Sequence, residues 1–171
     1  MSRHSGKKSR MAALCQMTGT GLLLALVLAC LPLTVPRVFG YQIYTVISGS
    51  MEPAIPVGSL LYIQKMEPEE VAEGEVVAYY GTSESGAIIT HRVLENRVVM
   101  GELITKGDAN EKEDLRPVPY GNVIGEVTWS LPGAGRIAER MTSREGKVLA
   151  GGIVVLAVLL QVLGGWLGKK L

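Results

Sequence analysis

A chain of 171 residues with net charge +1, 19% charged and 5% aromatic side chains has neither the basic field nor the stacking surface of a nucleic-acid binder. Its length suits one ordinary domain, and apolar runs at both ends leave only the middle to build it. Cys15 and Cys30 both fall inside the first apolar run, where they act as small hydrophobes. No disulfide framework, metal spacing or redox compartment follows from them.

Residues 1–10 carry Arg3, His4, Lys7, Lys8 and Arg10 and no acid, which predicts a basic cytoplasmic tail. Residues 11–36 contain no charge at all, more than the ~20 residues that a helix needs to cross a hydrocarbon core. A cleaved signal peptide has an apolar region of only about 7–15 residues followed by a small-residue site. Val27-Leu28-Ala29-Cys30 has the outline of a lipoprotein cleavage box, but Leu28 is bulky there and apolar sequence continues beyond Cys30. The run therefore predicts an uncleaved transmembrane helix.

Residues 37–147 change character. Gly, Pro and short runs of Val, Ile and Tyr replace any helical period, with predicted strands at Ser59–Lys65, Val76–Tyr80, Ala87–Leu94, Arg97–Ile104 and Asn122–Trp129. The third and fourth are expected to pair across a turn at Glu95-Asn96. A charged loop, Asp108 to Asp114, lies between Lys106 and Pro119. Short strands separated by turn residues predict a mainly β domain, closed or folded on itself to limit exposed edges. Residues 148–168 are again uncharged and predict a second transmembrane helix, returning residues 169–171 to the cytoplasm. Arg136, Arg140, Arg144 and Lys147 precede this span on the outer side, against the positive-inside rule, where anionic lipid head groups are available to meet them.

The chemistry concentrates in the middle. His4 belongs to the tail, so an imidazole acting beside the β domain must be His91. Ser50 precedes it, and Asp108 and Asp114 follow. A neutral imidazole can take a serine proton, and a carboxylate on its far nitrogen fixes the tautomer and stabilises the imidazolium. Serine and aspartate are common enough for chance to supply this set.

Three stretches in order carry a resemblance: Ser48-Gly49-Ser50-Met51-Glu52-Pro53, Thr90-His91-Arg92-Val93, and Thr105-Lys106-Gly107-Asp108-Ala109-Asn110 with Asp114 following. They resemble conserved boxes of the signal peptidase I family, in its endoplasmic-reticulum and archaeal-type branch, where histidine replaces the lysine general base. That branch also occurs in some Gram-positive bacteria. The resemblance runs from about Tyr41 to Arg136 and includes Gly121-Asn122-Val123-Ile124-Gly125-Glu126 and Leu131-Pro132.

It implies a signal-peptidase-like β-rich catalytic domain flanked by two transmembrane helices, with Ser50 as nucleophile and His91 as general base. It further implies Asp114 as the triad acid and Asp108 as a residue that shapes the site, with the exchange of these two roles left as the alternative. Ser48 Oγ and the Ser50 backbone N–H are implied as oxyanion donors. Ala109 stands where the family pattern has asparagine, which leaves one polar contact of that loop open. Lys106 is given no role as a base. Met51 is expected on a membrane-facing rim, and Pro53 as a rigid exit from the turn.

The implied activity is removal of signal peptides from secreted preproteins after small residues at positions −1 and −3, at the outer surface of the cell membrane. It uses no cofactor or metal. The partners are signal-peptide-bearing preproteins and the lipid bilayer; the oligomeric state is not legible. Only ~5 extended residues, about 17 Å, separate Phe39 from Thr45, so Ser50 is expected near the outer leaflet. Two alternatives stay open. A self-cleaving repressor-type protease of related β fold would use lysine and carry a DNA-binding module, and neither is present. A membrane-anchored, non-enzymatic β domain that binds or organises surface proteins would make the triad coincidental.

Overall fold

The computed structural model describes residues 3–81 and 86–169, with side chains from residue 10 onward. The basic side chains expected in the first nine residues, and residues 170–171 of the closing tail, lie outside that description. The chain divides into two units: Val35–Glu139, and a helical unit formed by Met1–Thr34 with Arg140–Leu171.

The first unit is built on seven strands: β1 (Gln42–Thr45), β2 (Leu60–Gln64), β3 (Val76–Tyr80), β4 (Ile88–Arg97), β5 (Glu102–Lys106), β6 (Val118–Pro119) and β7 (Val123–Leu131). They form one sheet in the order β1-β2-β7-β3-β4-β5-β6, every neighbouring pair antiparallel. Runs such as Leu60-Leu61-Tyr62-Ile63 are apolar without alternation because both faces of the sheet are covered. One face buries Met51, Ile55, Leu61, Ile63, Ala78 and Ile124, the other Val71, Val77, Tyr79, Val93, Leu103 and Val118. Along β3 the pleat sends Ala78 to the first cluster and Val77 and Tyr79 to the second.

Three sequence expectations are corrected. The β4–β5 turn is not at Glu95-Asn96, since β4 continues to Arg97 and the chain reverses at residues 98–101. Asn96 acts as a strand anchor: its Nδ2 donates to the carbonyls of Pro68 and Val71 at 2.9 Å, and its Oδ1 accepts from the Tyr120 hydroxyl. Gly101 takes the left-handed turn position at φ +68°. Met51 is not on a rim but only 2% exposed, in the core beside Ile55 and Leu61. Burial of such a side chain contributes roughly 1.5–3 kcal/mol and anchors the segment that follows Ser50. The third concerns elements that went unpredicted: β1, the two-residue β6 and the amphipathic helix α2 (Ala134–Thr142). Gly135 of α2 donates its N–H to the Gly58 carbonyl at 3.0 Å.

The helical unit pairs α1 (Arg3–Val38) with α3 (Arg144–Lys169). Residues 10–38 and 144–169 are each long and apolar enough to cross a bilayer. Small residues line their contact: a Cβ on Gly19 would meet the Ala157 carbonyl at 2.8 Å, and one on Gly164 the Ala12 carbonyl at 2.9 Å. Close backbone approach of this kind is how helices associate where apolar burial drives nothing. Gln161 adds a hydrogen bond to Thr20 at 3.4 Å.

Candidate active site

Ser50 lies in the turn between β1 and β2, where Glu52 N–H donates to the Gly49 carbonyl at 3.0 Å and Ile55 N–H to the Met51 carbonyl at 2.8 Å. The position is fixed from two sides. Met51 is sunk in the core, and the Ser50 carbonyl accepts from the Ala109 N–H at 2.9 Å. That last bond is made by the backbone of residue 109 and does not depend on its side chain. Ser48 Oγ and Ser50 Oγ are 3.5 Å apart, at the outer limit of a hydrogen bond.

His91 is carried by β4 on the same face as Val77, its partner across the strand pair. It is buried, and its Nδ1 is 2.6 Å from Asp114 Oδ2. The other ring nitrogen and the serine turn both lie close to Gly107: a Cβ there would be 3.0 Å from His91 Nε2 and 2.6 Å from the Ser50 carbonyl oxygen. Glycine at this position lets both approach the loop.

The two aspartates occupy different places. Asp108 pairs bidentately with Arg92, Nε to Oδ1 at 2.8 Å and Nη2 to Oδ2 at 2.6 Å, while Arg92 Nη1 holds the Gly74 carbonyl at 2.7 Å. Hydrogen bonding to Asp108 pushes the Arg92 guanidinium above its ordinary value. This fork ties the loop after β5 to β4 and leaves Asp108 engaged away from the imidazole. Asp114 N–H donates to the Thr105 carbonyl at 2.9 Å, which returns the loop to β5 beside His91.

Two further residues join the site that sequence reasoning passed over. Thr105 Oγ1 donates to Asp114 Oδ2 at 2.6 Å and the Tyr79 hydroxyl donates to the same oxygen at 3.0 Å. With His91 Nδ1, that oxygen receives three donors. Both residues are buried. Burial above all, with Asp114 adding, pushes the Tyr79 phenol well above its ordinary 10.0, against an opposing hydrogen bond from Thr105. The phenol thus stays a donor. A hydroxyl-bearing residue interrupting an apolar strand, as Thr105 does in Leu103-Ile104-Thr105, was the one signal available.

Two cavities flank this cluster. One of about 320 Å³ is lined by Tyr44, Val46, Ser48, Ser50, Ile88 and Thr90, and one of about 400 Å³ touches His91 and Asp114 together with Tyr80, Ile89, Leu115 and Arg116. Among the described residues, no group of three or more His, Cys, Asp and Glu side chains is placed to hold a metal ion.

A β domain bearing a serine turn and a buried His–Asp pair, in a chain with two helices long enough to cross a bilayer, has the makings of a membrane-associated hydrolase. No family model matches the chain. Curated relatives do. It is 36% identical over 101 residues to "Signal peptidase I W" of Bacillus subtilis, covering 57% of this chain and 52% of that protein, so it spans about half the length of that relative. It is 32% identical over 152 residues to "Signal peptidase complex catalytic subunit SEC11" of Ogataea parapolymorpha, covering 74% of this chain and 85% of that one. The subunit of the same name from Fusarium vanettenii is 33% identical over 130 residues, 70% of this chain and 75% of the relative. The chain belongs to the signal peptidase I family.

Proposed function

We propose that this protein is a membrane-bound serine endopeptidase that removes signal peptides from preproteins. Ser50 is the nucleophile and His91 the general base. Asp114 holds His91 in the tautomer with Nδ1 protonated, leaving Nε2 free to accept the serine proton. The serine oxygen attacks the scissile carbonyl, His91 passes the proton to the leaving amine, and water then releases the acyl group. The observation that carries this reading is the 2.6 Å His91–Asp114 contact, with His91 Nε2 and the Ser50 carbonyl both close to Gly107.

The Ser50 N–H and Ser48 Oγ serve as oxyanion donors, a role for which loss of one donor typically costs about 100–1,000-fold in rate. Ser48 stands beside Ser50, which supports the assignment. Asp108 shapes the loop through Arg92. The cavity beside Ser50 takes the residues that precede the cut, its lining by Val46, Ile55 and Ile88 suiting apolar side chains.

We assign residues 11–36 and 148–168 as spans of the cell membrane, residues 37–147 as the extracytoplasmic domain, and residues 1–10 and 169–171 as cytoplasmic tails. A cut made near the bilayer surface suits a substrate whose apolar segment lies in the membrane. The test is cleavage of a signal-bearing preprotein in membranes by wild type, Ser50→Ala and His91→Ala at equal protein level. Loss of cleavage in both variants is expected, and undiminished cleavage by Ser50→Ala would overturn the assignment.

A further inference from the structure

We propose that the groove between α1 and the start of α3 is a binding site for one anionic phospholipid. Leu22, Leu26 and Ala29 of α1 line it on one side and Met141, Leu149 and Ile153 on the other, around a cavity of about 550 Å³. That volume lies in the ordinary range of small-molecule sites, roughly 300–1,000 Å³. Arg140 and Lys147 also line it. The site thus joins an apolar trough to two cations, and a lipid with an acyl chain and a phosphodiester head group matches both.

The cations are brought together by a built junction. Ser143 Oγ donates to the Arg140 carbonyl at 2.8 Å and accepts from the Gly146 N–H at 3.1 Å, capping α3 while holding the last turn of α2. Gly146 is packed so closely that a Cβ would lie 2.0 Å from the Arg140 carbonyl and 2.8 Å from that of Met141. With a glycine there, the end of α2 folds directly onto the first turn of α3, and Arg140 and Lys147 share one rim. Neither forms a salt bridge among the described residues. Glu139 and Glu145 are the nearest acids in sequence, against Arg136, Arg140, Arg144 and Lys147.

A signal-peptide helix fits this groove less well. Its positive charge is at its start, and its cleavage end is small and uncharged, so it offers no partner to a pair of cations. Phosphate at a membrane surface does, at about fivefold in affinity for each Lys or Arg near it. The inference rests on the reading that α1 and α3 lie in a bilayer. It is independent of the Ser50 chemistry.

The full chain in nanodiscs, with phosphatidylglycerol added to phosphatidylcholine, tests this by native mass spectrometry of the lipids retained. Phosphatidylglycerol should be kept in preference to phosphatidylcholine. Arg140→Gln and Lys147→Gln should each weaken retention about fivefold, and Arg140→Lys should restore most of it. Ala150→Phe, which fills the groove with both cations in place, should abolish retention, whereas Lys169→Gln at the far end of α3 should change nothing. Equal retention of the two lipids overturns the proposal. So does equal loss in Lys169→Gln and Arg140→Gln, or displacement of the lipid by a saturating signal peptide. Preprotein cleavage in detergent, measured on the same variants, should match wild type; its absence in wild type would instead count against the peptidase assignment and leave the lipid result standing.

Discussion

Thr105 Oγ1 lies 2.6 Å from Asp114 Oδ2, as short as the contact that the same oxygen makes with His91 Nδ1. A carboxylate oxygen satisfied by several donors is stabilised in its charged form. Thr105→Val keeps shape and removes the donor. A hydrogen bond to a charged group contributes about 1.5–3 kcal/mol, so kcat should fall roughly 10–100-fold. Thr105→Ser should retain most of the rate. KM should change little in the valine variant, since Thr105 lines neither cavity. A fall in kcat no larger than the loss of folded protein would reduce Thr105 to a packing residue.

Tyr79 offers an independent view of the same oxygen. Burial keeps its phenol protonated well past its ordinary value of 10.0, so it donates throughout the working range. Tyr79→Phe should lower kcat by roughly 10–100-fold through loss of one donor to the Asp114 carboxylate. Combined with Thr105→Val, the losses should be non-additive, because both donors serve one atom. A double-mutant cycle on peptide cleavage measures the coupling, and strict additivity would mean that the two act separately.

Much of this was legible beforehand. The serine turn, the histidine between Thr90 and Arg92, and the acidic loop are visible as residue types in order, and β2, β3 and most of β4 follow from their apolar runs. The resemblance implies Asp114 rather than Asp108 as the acid, but the partner of Asp108 was not legible, because Arg92 meets it from a strand 16 residues earlier. Tyr79 and Thr105 pass for ordinary strand residues. Met51 looked like a rim residue because its neighbours are polar, yet the turn drives it into the core. The β4–β5 turn was misplaced for a related reason: Asn96 has turn chemistry, but its amide is consumed by Pro68 and Val71.

The two aspartates should therefore fail differently. Asp108→Ala breaks the fork to Arg92, whose side chain is 35% exposed, and should act chiefly through the loop that it anchors. Asp114→Ala leaves the imidazole without its orienting partner and should lower turnover more than Asp108→Ala at equal protein level. Single-turnover cleavage of a preprotein compares them. The reverse order would transfer the orienting role to Asp108.

Glu126 gives a pH signature of stability. Burial first, and the charge of Glu75 second, raise its carboxyl above the ordinary 4.5. The folded chain then holds this proton more tightly than the unfolded chain. Stability contributed by the neutral form is present below 4.5 and is lost as pH rises through the raised value. Glu126→Gln should therefore raise Tm more at pH 7 than at pH 4. Parallel melting curves at the two pH values would show that this carboxyl is not strained by its burial.

Gly107 is the most exacting test of the geometry. A Cβ there would stand 2.6 Å from the Ser50 carbonyl, 2.7 Å from Asn110 Nδ2 and 3.0 Å from His91 Nε2, so Gly107→Ala must displace the serine turn, the loop or the imidazole. Overpacking of this kind costs about 1–3 kcal/mol of stability, which a folded sheet with two covered faces can absorb. Misplacement of reacting groups by about 1 Å costs on the order of 100-fold in rate. Cleavage should fall far more than thermal stability does, with KM little changed, because the cavity beside Ser50 is lined by other residues. A loss of rate no larger than the loss of folded protein would mean that close packing at Gly107 does not position the Ser50 turn and His91 for reaction.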